Sequence, residues 1–328
     1  MDLFVLLINS AIFAGTPILF GALGEILTQK SGNLNLGVEG MMFMGAVAGL
    51  SAVMLIERTV GASMSPPVAV LIAILASFLA GAFGAFIYSV IVISMRAQQN
   101  VTGIALTIFG AGVGNFFGNF LGQYAPDGFV VRISDDARRG FQALHIPLLS
   151  DIPVVGAIFS QNILIYLGIL MAILMSVFLK RTRTGLNLRA VGENPATADA
   201  AGINVTRYKY LATCIGGGIC GIGGMYISMV RTSGVWVHNS VRSFGWIAVA
   251  MVIFATWNPN RAIIGALIFG GLTIIRMYLP LGLGIPTQFY ESLPVLVTIA
   301  VLIATSMRRI KEHSPPSSLG TNYFREER

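Results

Sequence analysis

The sequence predicts an all-α protein that is integral to a membrane and crosses it about nine times. Of its 328 residues, 55% are hydrophobic and only 11% are charged, and the mean hydropathy is +0.77. This balance leaves too little polar surface to cover a soluble protein of this size. The charged residues also fall in clusters separated by long uncharged stretches. An apolar run of about 18 residues is long enough to cross a bilayer as a helix.

The uncharged stretches define the predicted spans. The stretch between Arg58 and Arg96, for example, contains no charged residue. The nine spans are predicted at residues 3–24, 38–56, 67–94, 100–122, 161–179, 208–230, 244–257, 262–279 and 290–306. They form one transmembrane domain over residues 1–310. The polar tail at 311–328 contains proline and serine and is predicted to be flexible.

Lysine and arginine predict the orientation, because they concentrate in short loops on the cytoplasmic side. They flank residues 181–208 and follow the last span, so both regions are predicted to be cytoplasmic. The N-terminus is then outside, and residues 123–160 form the largest external segment. Because the basic residues lie beside apolar spans, the net charge of +7 reflects topology rather than nucleic-acid binding.

Residues 185–210, GLNLRAVGENPATADAAGINVTRYKY, form a polar insert between two apolar spans. Asn194 suits a helix N-cap, Pro195 suits the first helical position, and Gly202 suits the left-handed position after the end. The pattern predicts a helix about 10 Å long, too short to cross a bilayer. From the residues alone, this helix either joins two spans passively or contacts a cytosolic partner.

The insert resembles the cytoplasmic coupling segment of ATP-binding-cassette (ABC) importer permeases of the branched-chain amino acid, simple sugar and nucleoside type. The residues that carry this resemblance are LRAVGENPATADAAGINVTRYK. Three further stretches match in collinear order: GNLNLGVEGMMFMGA at 32–46, SFGWIAVAMVIFATWNPNRAIIGALIFG at 243–270 and ESLPVLVTIAVLIATS at 291–306. The Gly-Trp-Ile-Ala-Val-Ala stretch with its following aromatic-Asn-Pro turn is most similar to the nucleoside-uptake branch.

The resemblance implies a permease subunit that moves nucleosides across the bacterial inner membrane by alternating access. It implies three partners: an ABC ATPase subunit, a second permease subunit and an extracytoplasmic substrate-binding protein. It also implies that the insert contacts the ATPase. The predicted coupling residues are Gly192, Glu193, Asn194, Pro195, Ala198, Ala201 and Gly202. Simple sugars and branched-chain amino acids are alternative substrates, and a standalone secondary transporter or channel is an alternative of another class.

The chain is predicted to be a transport subunit rather than an enzyme. A phosphate-binding loop needs a Gly-rich turn that ends in Gly-Lys-Ser/Thr, and none of the lysines has that context. ATP hydrolysis is therefore expected on a partner chain, with no cofactor on this one. His145, His238 and His313 lack the spacing of a metal site, so no metal ligands are predicted. If the chain were an enzyme, the main alternative would be an intramembrane enzyme.

Two groups of polar residues are candidates for the substrate pathway. The first is Asn33, Asn35 and Glu39, between the first two spans. The stretch is either a broken membrane helix whose side chains line a cavity, or a cytoplasmic turn in which Glu39 interacts with the positive end of the next helix. The second is Asn115 and Asn119, which share a helical face. These amides either bond neighbouring helices or bind an uncharged substrate.

Three phenylalanines lie close to these amides in the fourth span. They are Phe116, Phe117 and Phe120. Their rings could stack on a nucleobase or simply face lipid and neighbouring helices.

Overall fold

The computed structural model describes residues 2–60, 64–124, 128, 130–144, 160–278, 286–308 and 314–324. The described residues form an all-helical structure. The helices are α1 (Asp2–Gln29), α2 (Val38–Val60), α3 (Pro66–Ser89), α4 (Gln99–Phe120), α5 (Asp135–Arg139), α6 (Ile163–Arg181), α7 (Arg183–Glu193), α8 (Pro195–Ala200), α9 (Val205–Tyr226), α10 (Phe244–Phe254), α11 (Pro259–Tyr278) and α12 (Thr287–Arg308). Short π-helical segments extend α3 to Ser94 and α9 to Arg231.

Among the described residues, six helices are long and apolar enough to cross a membrane, which confirms a polytopic membrane protein. They are α1, α2, α3, α4, α6 and α9, with the short extensions of α3, α4 and α9 included. The predicted count of nine is not confirmed. Helix α10 has only 11 residues, so at about 1.5 Å per residue it is roughly half as long as a bilayer core is thick. Helices α11 and α12 contain shorter apolar stretches.

Helices α2 and α9 form the centre of the protein, since they are the most buried of the six spans. Their glycines permit this. A Cβ atom added at Gly221 of α9 would collide with backbone of Ser77 and Gly81 in α3, and one added at Gly45 of α2 would collide with Gly221. Small residues let helix backbones approach closely where lipid provides no hydrophobic drive for association. The Gly-rich stretch of α9 therefore sets the spacing of the central helices.

One end of the protein, called the insert end below, carries the polar insert at residues 181–208. The connection between α1 and α2 also lies there, because the Lys30 carbonyl is so close to Gly192 that a Cβ at Gly192 would collide with it. The start of α4 joins them through a hydrogen bond from the Leu34 backbone N–H to Gln99 Oε1 of 2.6 Å. This grouping agrees with the arrangement that the basic residues predict.

The opposite end carries the described part of the predicted external segment at 123–160, whose residues 145–159 lie outside the described ranges. Ser134 caps α5 and hydrogen bonds through its backbone N–H to Glu57 near the end of α2. Arg132 pairs with Val235, which follows α9. These contacts place the segments after α2 and after α9 at the same end.

The tail differs from the sequence prediction. Residues 314–324 pack on the insert end. There the Ser318 N–H donates to the Gly192 carbonyl over 3.1 Å, and the Gly320 N–H donates to the Gly32 carbonyl over 3.1 Å. Composition predicts flexibility because Pro and Ser form no core of their own. It cannot reveal that these groups pair with carbonyls far away in the sequence. Residues 311–313 and 325–328 lie outside the described ranges.

Candidate functional site

The connection between α1 and α2, residues 30–37, is non-helical and largely buried inside the protein. Its backbone groups are satisfied by side chains of surrounding helices. The Tyr88 hydroxyl donates to the Leu34 carbonyl over 2.7 Å, and the Thr107 hydroxyl donates to the Leu36 carbonyl over 2.8 Å. Irregular backbone at membrane depth needs such partners. Helix α1 itself is continuous to Gln29, so the interruption is a buried junction after the helix rather than a break within it.

Asn33 and Asn35 belong to this junction. The Asn33 amide donates to the Thr213 hydroxyl of α9 over 3.0 Å. Asn35 accepts from the Gly37 N–H through its side chain and donates its own backbone N–H to Glu25 Oε1 over 3.1 Å. Both asparagines are buried. They hold the connection together and are not open to a passing solute in this conformation.

A second non-helical segment, residues 232–243, joins the end of α9 to α10. Near its start, Trp236 N–H bonds to the Val131 carbonyl at the opposite end. After α10, the Trp257 indole donates to Gln29 at the insert end. Residues 232–254 therefore run from one end of the protein to the other, with the helix only in the second half. The predicted span at 244–257 therefore corresponds to the helical half of a crossing whose first half, residues 232–243, is not helical.

The backbone of this segment is strained. Four residues have left-handed φ angles: Ser233 (56°), Gly234 (74°), Asn239 (58°) and Ser243 (76°). Non-glycine residues in this region cost free energy and cluster at functional sites. Among the described residues, Ser243 makes no side-chain cap to α10. The first turn of this half-helix therefore has backbone N–H groups free for another partner.

Glu39 is that partner. Its carboxylate lies close enough to the backbone N–H groups of Ser243, Gly245 and Trp246 to interact with them electrostatically. A Cβ atom at Gly245 would collide with Glu39. Glu39 also lies in the first turn of α2, so the positive ends of two helices converge on one carboxylate. Glu39 lies in the position that the predicted interaction with the next helix requires, and its contact with the first turn of α10 is a second one that the sequence does not show.

The outer half of α4 lies beside this segment. Half-buried Asn115 donates its amide to Asn239 Oδ1 over 2.8 Å and accepts from the Asn239 N–H over 3.0 Å. Asn119, one turn further along α4, is exposed. The amide pair fixes α4 to the non-helical segment, so Asn115 bonds to a neighbouring loop rather than to the neighbouring helix that the sequence predicts. The exposed edge of both groups leaves the second role, substrate contact, open to them.

Exposed aromatic rings flank these amides. Phe116 and Phe120 stack with ring centroids 5.8 Å apart and planes 7° from parallel, and they are 62% and 45% exposed. Phe117 meets Phe116 edge to face. Together with the adjoining polar residues they form a surface called the α4 face below. It consists of Asn115, Phe116, Phe117, Asn119 and Phe120 of α4 and of the exposed residues Asn239, Arg242 and Ser243 in the segment that Asn115 binds.

The α4 face combines apolar rings with polar and charged groups, and Arg242 is exposed there. A charged group or free amide at membrane depth is costly in lipid and so faces water or protein. Arg242 also lies near enough to Glu39 to act on it electrostatically. The α4 face is therefore suited to a polar passage or to a partner subunit rather than to lipid chains.

The predicted coupling residues lie at the end of α7 and in and around the predicted short helix, α8. The Asn194 side chain accepts from Thr197 N–H over 3.0 Å, Pro195 begins α8, and Gly202 has a φ of +81°. These three local predictions match the geometry. Gly192 is buried beneath the α1–α2 connection, whereas Glu193 and Ala201 are exposed.

Ala198 is placed differently from the expectation of an open contact surface. It is only 3% exposed and packs with Val191 and Val205. A six-residue helix with alanine on several sides gives no periodic signal for which side is buried. The exposed side of α8 carries Ala196, Thr197, Ala200 and Ala201.

The tail, residues 314–324, forms hydrogen bonds with the end of α7 and with this helix. Ser317 donates through its N–H and hydroxyl to Glu193 Oε2, over 3.2 Å and 2.8 Å. The Tyr323 hydroxyl donates to Asp199 over 3.0 Å. The same tail bonds to the loop before α4, since the Asn322 amide donates to the Arg96 carbonyl over 2.8 Å. The short helix is therefore tied to the ends of the membrane helices.

The sequence matches a family model described as the permease component of branched-chain amino acid transport systems over residues 7–306. The match covers almost the whole chain, and the polytopic helical fold agrees with it. This chain belongs to that family of ABC transporter permeases. It is a multi-pass protein of the cytoplasmic membrane and serves as a transport subunit.

Three relatives show similarity along nearly their full lengths. A provisionally named glucose ABC transporter permease of Haloferax volcanii is 33% identical, over 98% of each chain. A guanosine ABC transporter permease of Bacillus subtilis is 32% identical, over 90% of this chain and 91% of its own. A nucleoside ABC transporter permease of Lactococcus lactis subsp. cremoris is 32% identical, over 98% of this chain and 97% of its own.

Sequence reasoning missed the residues of the segment at 232–243. Asn239, Arg242 and Ser243 lie in SGVWVHNSVRSF, which has the composition of an ordinary loop. One signal was available: the apolar stretch after it is too short for a full span before the Asn-Pro turn at 258–259. A short stretch of this kind is a pointer to a discontinuous membrane helix.

Proposed function

We propose that this chain is the membrane-spanning permease of an ATP-driven nucleoside importer. Two of the three relatives described above are named for nucleosides, and both align with almost all of this chain. The α4 face supplies the chemistry that such a substrate needs. The single observation that carries the proposal is the exposed pair of stacked rings, Phe116 and Phe120, beside the Asn115–Asn239 amides.

A nucleoside has an uncharged base with a flat aromatic face and a sugar with several hydroxyl groups. Stacking of a base on an aromatic side chain contributes about 1–3 kcal/mol. Neutral amides can donate to and accept from both the base edge and the sugar. Asn239 and Ser243 belong to the segment at 232–243, which leads directly into α10. Movement of α10 would therefore change the α4 face.

We propose that energy for this movement comes from a separate ABC ATPase that docks on the exposed side of α8. The short helix is tied to the tail and to the α1–α2 connection, which leads to Glu39 and hence to α10. A movement of α8 would therefore be transmitted through contacting groups to the α4 face. A second permease subunit would lie opposite that face across the substrate passage, and a substrate-binding protein would deliver the nucleoside. ATP would bind on the ATPase, with no cofactor on this chain.

Uptake measurements test the substrate. Cells with and without this gene would be given labelled guanosine, adenosine, uridine, glucose and leucine, each at one concentration. We expect uptake of at least one nucleoside to depend on the gene, and unlabelled nucleosides to compete with it. Gene-dependent uptake of glucose or leucine alone, with no nucleoside uptake, would contradict the assignment.

Glucose is the second candidate because the Haloferax volcanii relative is named for it. The variant Phe116→Leu separates the two. It preserves an apolar side chain but removes the stacking surface, so nucleoside affinity should fall about tenfold. A glucose permease whose sugar does not use this ring would be unaffected.

The variant Ala201→Arg tests the coupling surface. Ala201 is exposed, so arginine fits without disturbing the packing of α8, but its bulk would obstruct a docked ATPase. We expect assembly with the ATPase and uptake to fall together, while abundance in the membrane stays near wild type. Ala190→Arg on the exposed side of α7 is the matched control. Ala198→Arg is unsuited to this purpose because it disrupts the chain's own packing.

A further inference from the structure

A polar cavity of about 350 Å³ lies at the insert end, apart from the α4 face. Its walls come from the end of α1, the end of α6, the middle of α7 and the turn between α10 and α11. Four of the ten residues that line it are basic: Lys30, Lys180, Arg189 and Arg261. Acidic side chains are missing from this described lining. The cavity therefore gathers positive charge from four separate parts of the chain.

The turn at 256–258 shapes the cavity. Thr256 and Trp257 both have left-handed φ angles, 51° and 52°. The Trp257 indole is fixed by its bond to Gln29, and the Arg261 guanidinium is oriented by a 2.6 Å bond to the Thr256 hydroxyl. Two adjacent residues in this conformation cost free energy. The Trp-Asn-Pro turn that the sequence analysis singled out thus serves to close one wall of a basic cavity.

The charges in this cavity are incompletely neutralised. Burial, and then the positive charge of Arg189, lower the pKa of Lys30, while Glu193 acts in the opposite direction. Glu193 is itself engaged by Ser317. The preference of basic residues for the cytoplasmic side explains their number at this end. It does not explain why they converge on one cavity, since Arg181 and Arg183 on the same surface do not line it.

Helix α11 adds to the positive potential. Asn258 and Pro259, where this 20-residue helix begins, also line the cavity. A helix N-terminus carries partial positive charge. Arginine side chains present planar donor pairs that match the oxygens of a phosphate, and lysine adds a compact charge. The arrangement is therefore complementary to a small, multiply charged anion with several acceptor oxygens.

We propose that the cavity binds one phosphate group, presented either by an anionic lipid headgroup or by a soluble phosphate compound. The position favours the lipid, because Lys180 lies at the end of span α6 and basic cavities between membrane helices on the cytoplasmic side accommodate such headgroups. A bound phosphate would link α1, α6, α7 and α11 beside the coupling helix. This inference does not depend on which substrate the transporter carries.

The first arm of the test measures lipid. The full chain would be purified in detergent, mixed with equal amounts of phosphatidylglycerol and phosphatidylcholine, and washed, and the retained lipid would be counted by mass spectrometry. We expect phosphatidylglycerol to be enriched about tenfold. The double variant Arg189→Gln with Arg261→Gln should lose the enrichment. Arg183→Gln, which removes a charge from the same helix outside the cavity, should keep it.

The second arm measures soluble phosphate by calorimetric titration of the same proteins with inorganic phosphate. Saturable binding that the double variant loses, without lipid enrichment, would support the cavity and assign it to a soluble compound. If neither arm shows binding, or if Arg183→Gln reduces binding as much as the double variant, the proposal is wrong. Should the double variant fail to fold, Arg261→Gln against the charge-preserving Arg261→Lys carries the same comparison.

Discussion

The two non-helical segments that lead into α2 and α10, residues 30–37 and 232–243, both lie between apolar helices in the sequence but have different surroundings in the structure. Each leads into the N-terminus of a helix that contributes to the contact around Glu39. The first is buried, and surrounding side chains bond its backbone and side chains. The second has six exposed residues among its twelve and contains four residues with left-handed φ angles. It leads into a half-helix whose first turn contacts Glu39 of α2.

The difference between the two segments indicates that polar residues at membrane depth have two separate roles. Where the side chain is buried, as at Asn33, an amide stabilises a junction and contributes to the fold. Where one side is open, as at Asn239, the same side chain can meet a substrate or a partner subunit. Residue type does not distinguish the two cases, but exposure and backbone strain do. The predictions below separate them, beginning with the largest effect.

Gly245→Val should break the contact between the two segments. A side chain at this position would collide with the Glu39 backbone, so α10 must move away from α2. Overpacking of this kind costs about 1–3 kcal/mol, and loss of the electrostatic contact with Glu39 adds to it. We expect a clear drop in thermal stability and no measurable uptake.

The matched control for that variant is Gly112→Ala on α4. A Cβ atom at Gly112 meets nothing within 4 Å among the described residues. Its thermal stability and uptake should equal those of the wild type. Equal behaviour of the two variants would mean that the meeting point at Glu39 is unimportant.

Asn33→Ala should affect stability more than transport. It removes the bond to Thr213 and leaves a buried hydroxyl with one partner fewer, at a cost of about 1–2 kcal/mol. Thermal unfolding of the purified protein should report this loss, while the substrate concentration at half-maximal uptake stays unchanged. A shift in that concentration without a change in stability would move Asn33 from the junction to the pathway.

Asn115→Ala should show the reverse, smaller effect. The amide pair with Asn239 is only half-buried, so its net contribution to stability is small, about 0.5 kcal/mol. Loss of the pair would loosen the α4 face, and we expect half-maximal uptake to require about fivefold more nucleoside. Substrate titrations of uptake by Asn115→Ala and by Asn33→Ala, done together, give the comparison directly.

Much of the fold was predictable from composition and charge. Long apolar stretches predict the six full spans because a bilayer fixes the length of a helix that crosses it. The cap at Asn194 and the left-handed Gly202 were predictable because both depend on local backbone chemistry. The grouping of the polar insert, the α1–α2 connection and the tail at one end of the protein followed from the distribution of lysine and arginine.

The features that the sequence does not show depend on contacts between distant residues. The half-helix α10 ends at Phe254, and the Trp257 indole just beyond it bonds to Gln29, 228 positions away. The tail is anchored because Ser318 reaches the Gly192 carbonyl. Asn33 and Asn35 were candidates for a pathway on residue type alone, and the structure places them in a buried junction. Each of these facts lies in tertiary packing, which no local pattern encodes.

Cysteine accessibility tests the central claim, that the α4 face is open to substrate and the α1–α2 connection is closed. Cys214 and Cys220 would first be replaced by alanine, and Ser243→Cys and Asn35→Cys would then be treated with a water-soluble methanethiosulfonate in the assembled transporter. Ser243→Cys should react, and a transported nucleoside should slow its reaction, while Asn35→Cys stays unreactive. Substrate-sensitive labelling of Asn35→Cys, together with an unreactive Ser243→Cys, would contradict this account.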